Sequence, residues 1–326
     1  MSHLTNPLTT PLQLSSNPSS HLPQELQDSI RFYTARLTQA AGILLRLPQD
    51  ITAQANVLLF RYWVVNGLME WEFSDVSAAT IYLTAKISSS PRSLRSITNV
   101  YAFLSSPTGS AYLSSSQITD KSNPAPDPTT YYLSESSYIT HRNHILHLEG
   151  QILNALGFNT HVALPHPLAI TYLQTLDVFS TSHNTSKTDS KNPLPIGTRV
   201  AHRTIAHLTA ALFSPQLLYL THQPSSLATA AIYLSCREEG LSLPEVAWWE
   251  VFDCEREELG FLVVAMGSLE GVVRREVERW GSGKGMISRG DVERVMGGKS
   301  GVGREEEDEE SEMARLLDQR VEEVRA

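Results

Sequence analysis

The chain is poor in cysteine, in positive charge and in long apolar runs. Its 326 residues hold two cysteines, Cys236 and Cys254, and no CxxC. Two thiols cannot build a disulfide framework, so a reducing compartment is the natural setting. No apolar run approaches the ~18–20 residues that cross a bilayer. The first thirty residues hold no basic start followed by an apolar stretch, so neither a membrane partner nor a signal peptide is expected. Lys and Arg number 26 against 35 Asp and Glu, a net charge of −9. That balance argues against direct nucleic-acid binding, which needs a basic surface.

Catalytic signatures are equally scarce. The sequence contains no GxxxxGK[ST], no GxSxG and no HExxH. His141, His144 and His147 fall at i, i+3 and i+6, and the outer two point apart on a helix. An ordinary half-buried or solvated face is expected there rather than a metal site. Cys236 and Cys254 lack His or Asp partners nearby and read as buried structural thiols. The chain therefore reads as a non-enzyme with no catalytic residue, no metal and no cofactor.

What it does have is a core. Hydrophobic residues make up 41% and charged residues 19%, a composition that folds. The acidity is concentrated at one end: residues 304–326 hold ten acids and four bases, a net −6. This tail begins REEEDEESE, a self-repelling block that stays solvated, and closes with Leu316, Leu317, Val321 and Val324 at roughly helical spacing, which reads as a frayed helical end. Residues 1–23 are rich in Ser, Thr, Pro and Asn and read as a flexible leader. Residues 105–130, 180–195 and 281–303 carry the Pro, Ser and Gly clusters of loops.

Elsewhere the periodicity is helical. Val57, Leu58, Phe60, Val64, Val65 and Leu68 mark a helix over 51–70. VSAATIYLTAKI follows, with Ser74 and Asp75 as its expected N-caps and Pro91 as its stop. Further helices are expected over 94–104 and 138–156, the latter ended by Gly157. Others follow over 168–179, 199–213, 225–237, 245–252 and 256–273. No clean alternation appears, so the fold class is all-α. One internal echo sets the architecture: Ile81-Tyr82-Leu83-Thr84-Ala85-Lys86 matches Ile232-Tyr233-Leu234-Ser235-Cys236-Arg237, each preceded by a pair of alanines. Small residues on these helices let neighbours approach to ~8 Å. Two similar helical bundles in tandem are expected, over 24–160 and 161–280, with a Gly-rich linker and acidic tail over 281–326. Trp248 and Trp249 read as packing residues of the second bundle. Ser90-Pro91, Ser106-Pro107 and Ser214-Pro215 are candidate phosphorylation dipeptides.

Charge also stands out of apolar helices at Lys86 and Glu149. By itself Lys86 is a cation at a helix C-terminus, where the macrodipole favours it. Glu149 in ILHLEGQIL reads as a solvated position.

The order IYLTAKI, SPRSLRSITNVYAFL, HLEGQILNALGF resembles the N-terminal cyclin box. LPHPLAITYLQTL, PSSLATAAIYLSCRE and LPEVAWWEVFD resemble the second cyclin fold of transcription-type cyclins. LLRLPQDITAQANVLLFRYW and NTHVALPHPLAITYLQTLDV are similar to cyclin L within that group. The resemblance spans about Arg36 to Trp280. It implies two tandem five-helix cyclin-box bundles and a regulatory subunit that binds and activates a cyclin-dependent, PITSLRE-like kinase as a heterodimer. It places kinase contacts on Lys86 and Glu149, with Tyr82, Ile87, Arg92 and Arg95 around them. It implies nuclear work in RNA polymerase II transcription and pre-mRNA processing, with transcription or splicing factors as further partners. The sequence departs from the family at Ser88 and Ser89, where acidic residues are common, in a longer loop over 105–130, and in its acidic end, where animal relatives carry Arg/Ser repeats. Other readings are a K- or T-type cyclin for a polymerase-tail kinase, and a non-kinase adaptor or TFIIB-like factor. The last should carry a basic face and a zinc ribbon, which this sequence lacks.

Overall fold

The computed structural model describes residues 4–16, 18–19, 21–114, 132–181 and 194–297. Its helices run in the order α1 (Pro11–Ser15), α2 (Gln24–Leu44), α3 (Gln49–Val65), α4 (Phe73–Ile87), α5 (Leu94–Leu104), α6 (Pro107–Ser114) and α7 (Glu135–Ala155), followed by α8 (Pro165–Thr175), α9 (Val178–Thr181), α10 (Ile196–Ala211), α11 (Leu218–Thr221), α12 (Pro224–Glu239), α13 (Arg256–Gly267), α14 (Leu269–Trp280) and α15 (Arg289–Met296). A 3-10 turn spans Trp248–Phe252. Among the described residues there is no strand.

The first bundle is built around α4. Its Val76, Ala78, Ala79, Ile81, Leu83 and Ala85 are buried, and α2, α3, α5 and α7 pack on it. Small Ser and Ala positions let four neighbours approach one helix. Their polar atoms are paired, as burial demands. Ser77 Oγ sits 2.7 Å from Thr38 Oγ1 and 2.6 Å from the Tyr101 hydroxyl, joining α2, α4 and α5 through one buried chain of hydroxyls. The second bundle repeats the plan around α12, where Leu227, Ala228, Ala230, Ala231, Ile232 and Cys236 are buried against α8, α10 and α13. Ile81 and Ile232, the two copies of the echo, are each wholly enclosed. The tandem arrangement expected from that echo is the one observed. Trp248 is buried, edge-on to Trp249 and to Phe252, whose ring stacks on Tyr172 at 4.0 Å. Both are packing residues.

Several local expectations are corrected. Ser74 and Asp75 do not cap α4: the N-cap is Glu72, which makes no side-chain capping hydrogen bond, and both residues lie inside the first turn. The span 245–252 forms only the 3-10 turn, and the single helix expected over 256–273 is two, broken at Ser268. Ser268 Oγ donates back to Ala265 O at 2.8 Å, and the redirected α14 buries Val272 and Glu276. The loop expected from 105 holds α6. Gly157 does end its helix in the left-handed region, at φ +56°.

The leader departs furthest from its flexible reading. Asn6, Ser19 and Leu22 are buried. Leu68 N–H donates to Ser19 Oγ at 2.7 Å, and Thr9 N–H donates to Leu220 O at 2.8 Å. Polar composition conceals such docking when each polar atom finds a partner.

A second compact unit begins at Ile287. Its described helix, α15, lies within the stretch expected to be a loop. Ser288 and Asp291 form a capping box at its start. The acidic block and Leu316, Leu317, Val321 and Val324 lie outside the described residues.

Candidate functional site

The C-terminal end of α4 is where charge meets an exposed apolar side chain. Lys86 stands in the last turn of α4, and Glu149 in the middle of α7, which packs along it. Their side chains meet at Nζ–Oε1 3.0 Å. The pair is lopsided: the Lys86 side chain is 54% exposed and that of Glu149 only 9%. The carboxylate is anchored among Ile145, Leu148 and Ile152, while the ammonium faces outward. The hydrogen bond it donates to Glu149 and the charge of that carboxylate hold the ammonium above the usual lysine range. An ammonium carries three donors, so two remain for an incoming acceptor. Tyr82, half-buried one turn back, places its ring centroid 5.5 Å from Nζ. Ile87, the last residue of α4, is 50% exposed.

Beyond α4 the chain turns through Ser88–Pro91. Ser88 Oγ donates to Ala85 O at 2.8 Å and accepts from Ser90 N–H at 3.0 Å, which closes the helix end. Arg92 faces inward: its Nε donates to Leu45 O and its Nη2 to Arg46 O, both at 2.8 Å. Those are carbonyls of the α2–α3 turn, where Arg46 adopts φ +52°. Arg95 ties α5 to the start of α7, at 2.6 Å from Glu135 Oε2 and 4.2 Å over the Tyr138 ring. The structure thus brings Lys86, Glu149, Tyr82 and Ile87 together. Arg92 and Arg95 serve the elements flanking them. Ile43, 54% exposed near the end of α2, and the exposed Arg46 extend this corner and carry no sequence signal of their own.

The thiols of the fold are held in its packing. Burial pushes the Cys236 thiol up to about 12 and the Cys254 thiol up to about 11, leaving neither a nucleophile at neutral pH. Two histidines of α7 pack on Trp71: His144 Nδ1 lies 3.3 Å from Asp75, and the His144 and His147 rings meet Trp71 edge-on at 5.3 and 5.8 Å, while His141 is exposed. Among the described residues no cluster of ligating side chains could hold a metal ion, and no helix is long and apolar enough to cross a membrane.

No family model matches the chain. Sequence relatives are clear nonetheless. Cyclin-L2 of Homo sapiens is 29% identical over 249 residues, 76% of this chain and 41% of that protein. Cyclin-L1 of Gallus gallus is 28% identical over the same share of this chain and 40% of its own length. Over three quarters of its length the chain is similar to the L-type cyclins. It spans about two-fifths of the length of the curated relatives it matches. Among solved structures, a chain of the yeast RNA Pol II CTD kinase CTDK-1 complex shares the fold. It matches at a TM-score of 0.54 and 10% identity, over 91% of this chain and 84% of that one. Helices α2, α3, α4, α5 and α7 are accordingly the five helices of the first cyclin box. The second bundle is built on α8, α10, α12 and α13, while α14 bonds back to Ser29 of α2 through Glu276 and Trp280. Lys86 closes the central helix of the first box, and Glu149 lies on its last helix.

Proposed function

We propose that this chain is a cyclin, the non-catalytic regulatory subunit of a cyclin-dependent kinase of the PITSLRE-like type, acting in the nucleus in RNA polymerase II transcription and pre-mRNA processing. The observation that carries the reading is the Lys86–Glu149 pair, anchored on one side and exposed on the other, beside the exposed Ile87. The L-type relatives support it.

A protein kinase holds ATP productively only when its strand Lys is paired with a Glu of its C-helix. A helical partner packed on that helix biases it toward the paired position. Here Ile87 supplies apolar area, and the Lys86 ammonium, oriented by Glu149, donates charge-assisted hydrogen bonds to backbone carbonyls of the kinase. Arg92 and Arg95 contribute by fixing the turns on either side. A stable complex of this kind buries on the order of 1,200 Å² or more.

The test is affinity purification of the tagged chain from its native cells with mass spectrometry, run beside the Lys86→Ala, Glu149→Ala double variant. A kinase present with the intact chain and lost from the variant establishes the reading. Equal recovery of that kinase by both overturns the site. No kinase with the intact chain leaves an adaptor.

A further inference from the structure

The structure separates the Ser-Pro pairs of the sequence sharply. Ser214 is 4% exposed, closed to any enzyme. Ser106 is spent on its own backbone, its hydroxyl donating to Phe103 O at 2.6 Å and accepting from Gly109 N–H at 3.2 Å. A Thr-Pro pair, Thr10-Pro11, is committed similarly: Thr10 Oγ1 caps α1 and meets Gln13 Oε1 at 3.2 Å. Ser90 differs. It lies in the non-helical turn after α4, with exposed Ser89 and Pro91 on either side. Among the described residues its hydroxyl makes no hydrogen bond. Proline at 91 also disfavours helical geometry at Ser90, which lies in a bend of the chain.

The surroundings of Ser90 are cationic. Arg92, two residues on, reaches back to Pro91 O at 3.2 Å and across to Arg46 O. Arg46 is exposed, and its guanidinium has no partner among the described residues. Lys86 stands four residues before, 54% exposed.

We propose that Ser90 is a site of proline-directed phosphorylation, that Arg46 and Arg92 hold the phosphate, and that the modification weakens docking of the kinase partner at this corner. The Ser90 hydroxyl oxygen attacks the γ-phosphorus of ATP. The bond from that phosphorus to the ADP oxygen breaks, and the hydroxyl proton passes to the base of the modifying kinase. The product carries about −1.5 to −2 charges at neutral pH. Two guanidinium groups match such an anion in charge and geometry. A dianion three residues from Ile87 must be stripped of water when that side chain is covered, which opposes association. The regulatory part rests on the kinase-docking role of the Lys86 corner.

The experiment uses the full chain, incubated with a purified proline-directed kinase and ATP labelled at the γ-phosphate. Label mapped to Ser90, absent from Ser90→Ala and from Ser106 and Ser214, supports the site. Label confined to Thr10 or Ser106 overturns it. Phosphorus-31 NMR then reads the second ionisation of the phosphoserine. A value below that of a free phosphoserine peptide, restored in Arg46→Ala, supports the arginine cradle, and an unshifted value overturns it. Phosphorylation and Ser90→Glu should each lower affinity for the captured kinase tenfold or more. Ser106→Glu should leave it unchanged. Equal affinity before and after phosphorylation overturns the regulatory part. If the intact chain captures no kinase, the docking role falls, and the regulatory part with it, while labelling and NMR still decide the modification.

Discussion

The side-chain amide of Asn6 reads the backbone of Ala163 as a neighbouring strand would. It accepts from Ala163 N–H at 2.8 Å and donates to Ala163 O at 2.8 Å. Its own backbone exchanges hydrogen bonds with the Gln223 side chain at 3.0 and 3.1 Å. Arg61, on α3 of the first box, donates to Asn6 Oδ1 at 3.3 Å and to His161 O at 2.8 Å. One leader residue therefore joins the first box, the junction and the second fold. Asn6→Ala strands a buried N–H and a buried C=O, and should cost about 2–4 kcal/mol in urea denaturation. A loss under about 0.5 kcal/mol would show that this junction does not bear on stability.

Lys86→Ala and Glu149→Ala should each weaken kinase binding by about 1–3 kcal/mol, because each leaves a polar group of the interface unpaired. Isothermal titration with the captured kinase measures this. Unchanged affinity in the double variant would remove the pair from the interface.

Glu276 gives the protein a stability slope on its acid side. It is 5% exposed, and accepts from Ser29 Oγ on α2 at 2.5 Å. Burial holds its carboxyl above the usual range, against the opposing pull of Ser29 and Arg279. The unfolded chain releases this proton near pH 4.5, before the folded chain does. Stability from this group is therefore greatest below that pH and falls as pH rises through the raised value. Glu276→Gln, which keeps an acceptor for Ser29, should flatten that limb of a melting-temperature profile. An unchanged profile would refute the assignment.

His166 tilts stability the other way. Burial lowers its pKa from 6.5 to about 4. The unfolded chain takes up a proton near 6.5 that the folded chain refuses until about 4. Stability is lost as pH falls across that window, by at most about 3 kcal/mol at ~1.4 kcal/mol per unit. His166→Leu should abolish the loss, as read by denaturant midpoints at pH 7 and pH 5. A variant that still loses the same stability would place the titration elsewhere.

Much of the architecture was legible because it is local. The alanine pairs before Ile81 and Ile232 announce two crowded central helices, and Leu94 to Leu104 is a helix at the bounds its spacing predicts. What escaped depends on partners far along the chain. Asp75 has the chemistry of a cap but is used by His144. The run from Arg256 looks continuous because nothing local shows that Glu276 must turn toward Ser29. Lys86 and Glu149 stand out individually as charges on apolar helices, and the family resemblance gives them a shared role. Their pairing, 63 residues apart, is a fact of how α4 lies on α7.

The Asn6 junction also sets a timetable for synthesis. Its partner Gln223 lies 217 residues later. At about 5–20 residues per second, the leader waits roughly 10–40 s on the ribosome before that side chain is made. Through that interval the first box must hold its shape without the seam that finally closes over it. A chain arrested shortly before Gln223 should therefore expose Asn6 to protease, and one released just beyond the second fold should not.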